Sequence, residues 1–285
     1  MELVGYLAAA LIGTSLGLIG AGGSILTVPL LVYFFDVPVL LASSYSLAIV
    51  GCTSLLGAAI KYRQGHVHIK TALVFGGLSI TVVSLVRCFV IPAIPHELFS
   101  VHGFVIESPV LSMVLFSLLM VLTSLGMIEK KKCLSEDQSV KVVPVATLLL
   151  TSVAVGLVTG LLGAGGGFLL VPALVLLFNL PMKDAVGTSL LIIALNSLTG
   201  FAMDLHHFKI DWPMLSTIAG ISGVGIFAGV SLGKKISAPA LRSTFGWVVL
   251  LVGIAVLSRE LLSFVAKNVT HPMMNIHQNL KTKNI

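Results

Sequence analysis

From Leu3 to Phe35 the chain carries no charged residue, and a run of that length belongs in lipid. A helix needs ~20 apolar residues to cross a bilayer core. Further apolar runs cover 37–60, 70–92, 109–128, 144–178, 184–204, 212–233 and 244–265. Only 10% of the 285 residues are charged, and the mean hydropathy is +1.07. A soluble domain carries about 25% charge to keep its surface in water, so the soluble class is excluded. The expected fold is an all-α polytopic membrane protein. Met1-Glu2-Leu3 shows neither a basic region nor a cleavage pattern, which predicts a retained membrane segment rather than a signal peptide.

Sliding the chain against itself until Gly17 meets Gly160 lays Gly17-Leu-Ile-Gly20-Ala-Gly22-Gly23-Ser24-Ile-Leu-Thr-Val28-Pro29 over Gly160-Leu-Leu-Gly163-Ala-Gly165-Gly166-Gly167-Phe-Leu-Leu-Val171-Pro172. Eleven of the sixteen positions from 17 to 32 match without a gap. At the same offset Pro38 meets Pro181, Ser46-Leu47 meets Ser189-Leu190, Ser54-Leu55 meets Ser197-Leu198, and Gly57 meets Gly200. Shared apolar composition does not align Gly, Pro and Ser at one offset, so the chain reads as a duplication. Residues 1–128 form an N-terminal repeat of four segments, and 144–268 a C-terminal one. A charged connector (129–143) divides them, and a polar tail (269–285) is expected to be disordered.

The first segment of each half is too long for one span. Residues 3–35 as one helix would extend about 50 Å, against ~30 Å of hydrocarbon. Each is interrupted by glycines, at 20–23 and 163–167, which predicts two half-helices meeting at a tip inside the membrane. Backbone freed there must line a cavity or be buried in protein. The half-helices starting near Ser24 and Gly167 would present unpaired N–H groups and the positive end of a dipole, which suits an anion. The competing reading is that the glycines only allow close helix packing. If both tips re-enter, the halves are inverted repeats and eleven of the 17 Lys and Arg gather on one side, as the positive-inside rule prefers.

Ser46 and Thr53 are seven residues apart and share a helix face, and Ser189 and Asn196 hold the matching places in the second half. Ser54, Ser197 and Thr188 lie beside them. Small hydroxyls and an amide suit the oxygens of an anion, with interhelical bonding as the alternative. Asp36, Asp204 and Asp211 fall only at segment ends, which argues against a cation transporter. Arg87 is expected to snorkel to the interface, with guidance of an anion as its alternative role. His206 and His207 read as interfacial polar residues. His66 and His68 have no distinctive metal spacing, and Cys52, Cys88 and Cys133 are scattered, so neither metal nor cofactor is indicated. The basic residues sit in short connectors without interleaved aromatics, so nucleic acid is not an expected partner. Gly13-Thr-Ser-Leu-Gly17 fits a nucleophile elbow in spacing but lies in an apolar helical run, and no other enzyme motif is present. The chain is expected not to be an enzyme.

Gly17–Pro29 and Gly160–Pro172, with Ala185-Val-Gly187-Thr188-Ser189-Leu190, Asn196-Ser197 and Tyr62-Arg63-Gln64-Gly65, resemble the TauE/SafE sulfite exporter family, also called the toluenesulfonate uptake permeases. The resemblance covers nearly all of 5–265. It implies a secondary permease of the cytoplasmic membrane for sulfite, sulfonates or other organosulfur anions, and leaves direction and proton coupling open. Ser44-Tyr45 departs from the Gly187-Thr188 pair of the second half, so the halves are expected to contribute unequally. Substrate-binding residues are then expected at Gly20, Gly22, Gly23, Ser24, Ser46, Thr53, Gly163, Gly165, Gly166, Gly167, Ser189 and Asn196. The alternatives are a transporter of another small solute, or a non-transporting assembly subunit whose Gly220, Gly225, Gly229 and Gly233 form an oligomer face.

Overall fold

Long uncharged runs become helices because a helix satisfies its own backbone where no water can. A computed structural model describes residues 2–19, 24–93, 97–101, 104–128, 145–163, 165–176, 178, 180–233, 243 and 246–263. Gly20, Gly22, Gly23, the 129–143 connector, the basic residues Lys234, Lys235 and Arg242, and the 269–285 tail lie outside them. The first half contains α1 (Glu2–Ile19), α2 (Ser24–Phe34), α3 (Val39–Arg63) and α4 (Ile69–Leu85). A π-helical turn at Val86–Val90 and a short α5 (Ile91–Ala93) extend α4, and α6 (Ser108–Ile128) closes the half. The second half contains α7 (Val145–Leu162), α8 (Gly167–Leu176), α9 (Met182–Asp204), α10 (Trp212–Gly233) and α11 (Gly246–Ser263). One antiparallel hairpin, β1 (Glu97–Val101) with β2 (Phe104–Glu107), interrupts the helices before α6.

Five of these helices are long and apolar enough to cross a membrane: Val39–Arg63, Ile69–Ala93, Lys183–Asp204, Trp212–Leu232 and Gly246–Ser263. The outside of the bundle agrees, since Leu11 of α1, Leu150 of α7, Val224 of α10 and Leu262 of α11 are each at least 70% exposed. Large apolar side chains in such numbers on the outside of a helical bundle mark a surface made for lipid.

The helix starts keep the offset seen in the sequence. Glu2 corresponds to Val145, Ser24 to Gly167, Val39 to Met182, and Ile69 to Trp212, all in the register that sets Gly17 on Gly160. The local stops agree as well. The Val37 N–H donates to the Leu31 carbonyl at 3.1 Å, and the Leu180 N–H to the Leu174 carbonyl at 3.2 Å. Each bond reaches back six residues and closes the turn after the half-helix, which in the first half passes through a left-handed residue. Asp36 takes that role at φ 52°. Pro38 and Pro181 then open α3 and α9, each accepting a bond four residues on, from Ala42 and Ala185.

Glycines decide which helices pair. α1 lies along α10, where a Cβ on Gly13 would sit 2.0 Å from the Ser222 carbonyl oxygen and one on Gly229 2.1 Å from that of Thr14. α7 lies along α4 in the same way, with Gly156 against Ser79 and Val82 and Gly160 against Val86. Gly13 and Gly156 are repeat equivalents, and so are Ser79 and Ser222, so each interface is the sequence image of the other. Backbones this close allow no side chain between them. Gly225 and Gly229 are therefore occupied by α1 within the chain, which corrects the expectation of an oligomer face there. Gly13 and Gly17 of the elbow-like pattern have the same packing role, and Ser15 donates to the Ile12 carbonyl of its own helix.

α3 and α9 form the centre and run antiparallel. Ser44 bonds Asp204 near one end, Gly51 meets Leu198, Gly57 meets Leu190, and His66 bonds Asp184 near the other end. Two further bonds tie these helices to α4 and α10. The His68 N–H donates to Thr188 Oγ1 at 3.0 Å, and the Asp211 N–H to the Tyr45 hydroxyl at 2.7 Å. Tyr45 is the repeat equivalent of Thr188 and supplies the same acceptor, so the Ser44-Tyr45 departure preserves this contact. Tyr45→Phe and Thr188→Val are each expected to cost ~1 kcal/mol, the ordinary net worth of one hydrogen bond. The two losses are expected to add in the double variant, because the sites are distant. Unfolding in detergent micelles checks both.

Candidate functional site

The site grows out of the turn between α7 and α8. Gly163, Gly165 and Gly166 take φ of +68°, +67° and +65°, a left-handed conformation in which a Cβ costs ~1–2 kcal/mol. With three such residues in four, α7 ends at Leu162 and α8 starts at Gly167. All four glycines are buried. Gly163 rests on the Ser43 backbone of α3, Gly165 on Val50 of α3 and on Ile193 and Ser197 of α9, and Gly166 on Thr159 and Val155 of α7. The turn is therefore wedged against the central antiparallel pair. α8 also touches α2, its counterpart in the first half.

Helical spacing shows what faces this turn. Ser43, Ser46 and Val50 follow at intervals of three and four on α3, so Ser46 lies between the two residues that touch the glycines. On α9, Ser189, Ile193, Asn196 and Ser197 share a face by the same spacing. Ser46, Ser189, Asn196 and Ser197 are all buried. The Ser46 and Ser197 hydroxyls and the Asn196 Nδ2 have no hydrogen-bond partner among the described residues, and neither does Ser54, the repeat equivalent of Ser197. Buried polar groups are nearly always paired, so a cluster of unpaired ones marks a place where something else supplies the partner.

The remaining expected residues are placed as follows. Asn196 Oδ1 accepts a 2.8 Å bond from Ser79 of α4, which fixes the amide and leaves its NH₂ directed elsewhere. Thr53 donates to the Ile49 carbonyl at 2.7 Å and Ser189 to the Val186 carbonyl at 2.9 Å, so both hydroxyls point back along their own helices. Ser24 is buried at the start of α2.

The sequence did not reveal the strongest electrostatic feature. Arg87, expected at the interface, is completely buried and so is Asp204. Arg87 Nη1 donates to Asp204 Oδ2 at 2.6 Å and to Ser43 Oγ at 3.2 Å, and Ser44 donates to the same carboxylate oxygen. Snorkelling fails because Arg87 lies on the π-helical turn and beside Gly200, which leaves room for its stem between α4 and α9. A carboxylate inside the bundle is thereby neutralised by a cation of the same protein. Toward the opposite end of the α3–α9 pair, Asp184 bonds His66 Nδ1 at 2.8 Å and His68 Nε2 at 3.0 Å.

A helical bundle with lipid-facing flanks, and with a glycine turn between two apolar helices packed beside buried unpaired donors, has the form of a polytopic membrane transporter. The chain belongs to the TauE/SafE sulfite exporter family, whose model, Sulfite exporter TauE/SafE, matches residues 5–256. A probable membrane transporter protein of Xylella fastidiosa (strain 9a5c) is 31% identical over 263 residues, covering 90% of this chain and 95% of that protein. The probable membrane transporter protein YunE of Bacillus subtilis (strain 168) is 29% identical, covering 85% and 92%. YdhB of the same organism, described in the same words, is 28% identical, covering 79% and 86%. No solved structure matches the chain. The protein is thus a multi-pass membrane transporter rather than an enzyme, and its partners are a small-molecule substrate and the lipid around it.

Proposed function

We propose that this chain is a secondary permease of the cytoplasmic membrane for small oxyanions, with sulfite and organic sulfonates as the leading class. The observation that carries the reading is the cluster of buried, unpaired hydrogen-bonding groups (Ser46, Ser197 and Asn196 Nδ2) around the Gly163–Gly167 turn. Hydroxyls, an amide NH₂ and helix-start N–H groups are the donors that an anion's oxygens need, without a mobile counter-ion. Among the described residues the one fully buried carboxylate, Asp204, is already paired with Arg87. That arrangement favours an anion over a cation, which would need carboxylates to bind. The family's own description, sulfite exporter, points to the sulfur oxyanions.

Opposite orientation of the two halves is part of the proposal. α3 and α9 are repeat equivalents and run antiparallel, as inverted repeats require, and the α1–α10 and α4–α7 pairs exchange under the same offset. Rocking one repeat against the other around the central pair would then expose the turn to each side in alternation. The assembly-subunit reading loses support, because Gly225 and Gly229 of its proposed face are covered by α1.

Purified protein in liposomes is to be challenged with sulfite, taurine, sulfoacetate, thiosulfate, sulfate and chloride, with and without a pH gradient. Saturable flux of a sulfur oxyanion is expected, and acceleration by the gradient would identify protons as the drive. Folded, inserted protein that moves none of these anions would overturn the proposal.

A further inference from the structure

Arg87 uses only part of its hydrogen-bonding capacity. Its guanidinium bonds to Asp204, Ser43 and Ser44 all leave from Nη1. Nε and Nη2, although buried, have no partner among the described residues. Nε–H and one Nη2–H point in parallel, and this edge of the fork grips two oxygens of a carboxylate, sulfonate or phosphate at once. No other Lys or Arg among the described residues is buried.

Its location connects it to the glycine turn. Ser43 accepts from Arg87 and also forms the surface on which Gly163 packs. One residue of α3 therefore separates this buried cation from the start of the turn. Three features place Arg87 there. The π-helical turn at Val86–Val90 offsets it from the regular α4 ladder, and such turns recur at functional sites. Gly160 lets Val86 approach α7, and Gly200 leaves space beside the Arg87 stem. Asp204 holds Nη1 together with Ser43 and Ser44, and a planar guanidinium held there has the direction of its unpaired Nε–Nη2 edge fixed.

We propose that Arg87 is the anion-docking group of the transport site, binding two oxygens of an oxyanion through its Nε–Nη2 edge while Asp204 positions it. This rests on the permease reading and names the side chain that selects the substrate class. A halide has no pair of oxygens to offer, so the fork discriminates oxyanions from chloride. An anion arriving at Arg87 also supplies acceptors to the buried Nε–H and Nη2–H groups that its own protein leaves unpaired.

Two variants test this. Arg87→Lys keeps a positive charge able to reach Asp204 but removes the fork. Arg87→Met combined with Asp204→Leu removes both charges together, so that neither is left buried alone. Each is checked for a monodisperse elution profile, then reconstituted for flux and heated in detergent with sulfite, taurine or chloride. In Arg87→Lys the KM for the transported oxyanion is expected to rise about 10- to 100-fold, as loss of a bidentate charged contact implies. The kcat is expected to stay within about threefold, a split that a merely structural role would not produce. The double variant is expected to lose oxyanion-induced thermal stabilisation altogether. Wild-type KM in Arg87→Lys, or undiminished stabilisation in the double variant, overturns the docking role while leaving the permease reading intact. Stabilisation of the wild type by sulfite or taurine that vanishes in the double variant, without flux in either, upholds the docking role and rejects transport of the ions tested. No flux and no stabilisation in the wild type overturns both.

Discussion

Gly165→Leu is expected to abolish transport while leaving the protein inserted and monodisperse. The residue sits at φ +67°, so any L side chain there carries ~1–2 kcal/mol of backbone strain. A Cβ would lie 2.9 Å from Val50 Cγ1 and 3.1 Å from both Ile193 Cγ2 and Ser197 Oγ. These are side-chain atoms that give way by small shifts, at the ~1–3 kcal/mol typical of overpacking. Membrane insertion rests on the apolar helices and should survive that cost. The site should not. Val50 and Ile193 are repeat equivalents on the two central helices, and pushing between them displaces the α3 face that carries Ser46 and the α9 face that carries Asn196 and Ser197. A displacement of ~1 Å in a preorganised site is enough for a loss of about 100-fold. Liposome flux reads the loss, and the elution profile and thermal unfolding confirm that the fold persists. Gly165→Ala, with the strain but little of the bulk, is expected to fall between the two. Wild-type flux in Gly165→Leu would reject the turn as part of the transport path.

That residue was readable as a site candidate because duplication repeats its context, Gly-Ala-Gly-Gly, at a fixed offset. The helix boundaries were readable for a related reason. Apolar length sets the spans, and Pro38, Pro181 and the Asp36 turn set the breaks. Arg87 and Asp204 were not readable. They lie far apart in sequence, and each looks like an ordinary charge near the end of a span. Their burial depends on a π-helical turn and on the glycine at 200, neither of which hydropathy registers. The Ser44-Tyr45 departure is plain in the sequence, but the contact that Tyr45 shares with Thr188 is not, because the backbone at Asp211 requires only a hydroxyl. Gly225 and Gly229 carried a correct signal of close packing, but small residues do not say whether the partner is a second copy or the chain's own first helix. His66, His68 and Asp184 meet only because α3 and α9 run antiparallel, and that direction follows from tertiary packing rather than from the local pattern.

Gly229→Leu is expected to prevent recovery of folded protein. A Cβ at this position would stand 2.1 Å from the Thr14 carbonyl oxygen, 2.9 Å from its carbon and 3.0 Å from Gly17 Cα. All three are backbone atoms of α1, so no rotamer change relieves the overlap and the helices must separate. Separation also releases the reciprocal contacts, Gly13 on Ser222, Gly17 on Ile226 and Val230, and Gly225 on Ala10 and Thr14. The cost therefore exceeds the ~1–3 kcal/mol of ordinary overpacking and draws on most of a typical stability of about 5–15 kcal/mol. Gly220 on the same helix is exposed, and a Cβ there meets nothing within 4 Å. Gly220→Leu is expected to change stability by no more than about 0.5 kcal/mol and to keep the oligomeric state of the wild type. Folded yield and size-exclusion elution of the two variants separate the readings. A well-folded Gly229→Leu would reject the intrachain α1–α10 contact. Dissociation caused by Gly220→Leu would instead restore the exposed glycine face as a contact between copies.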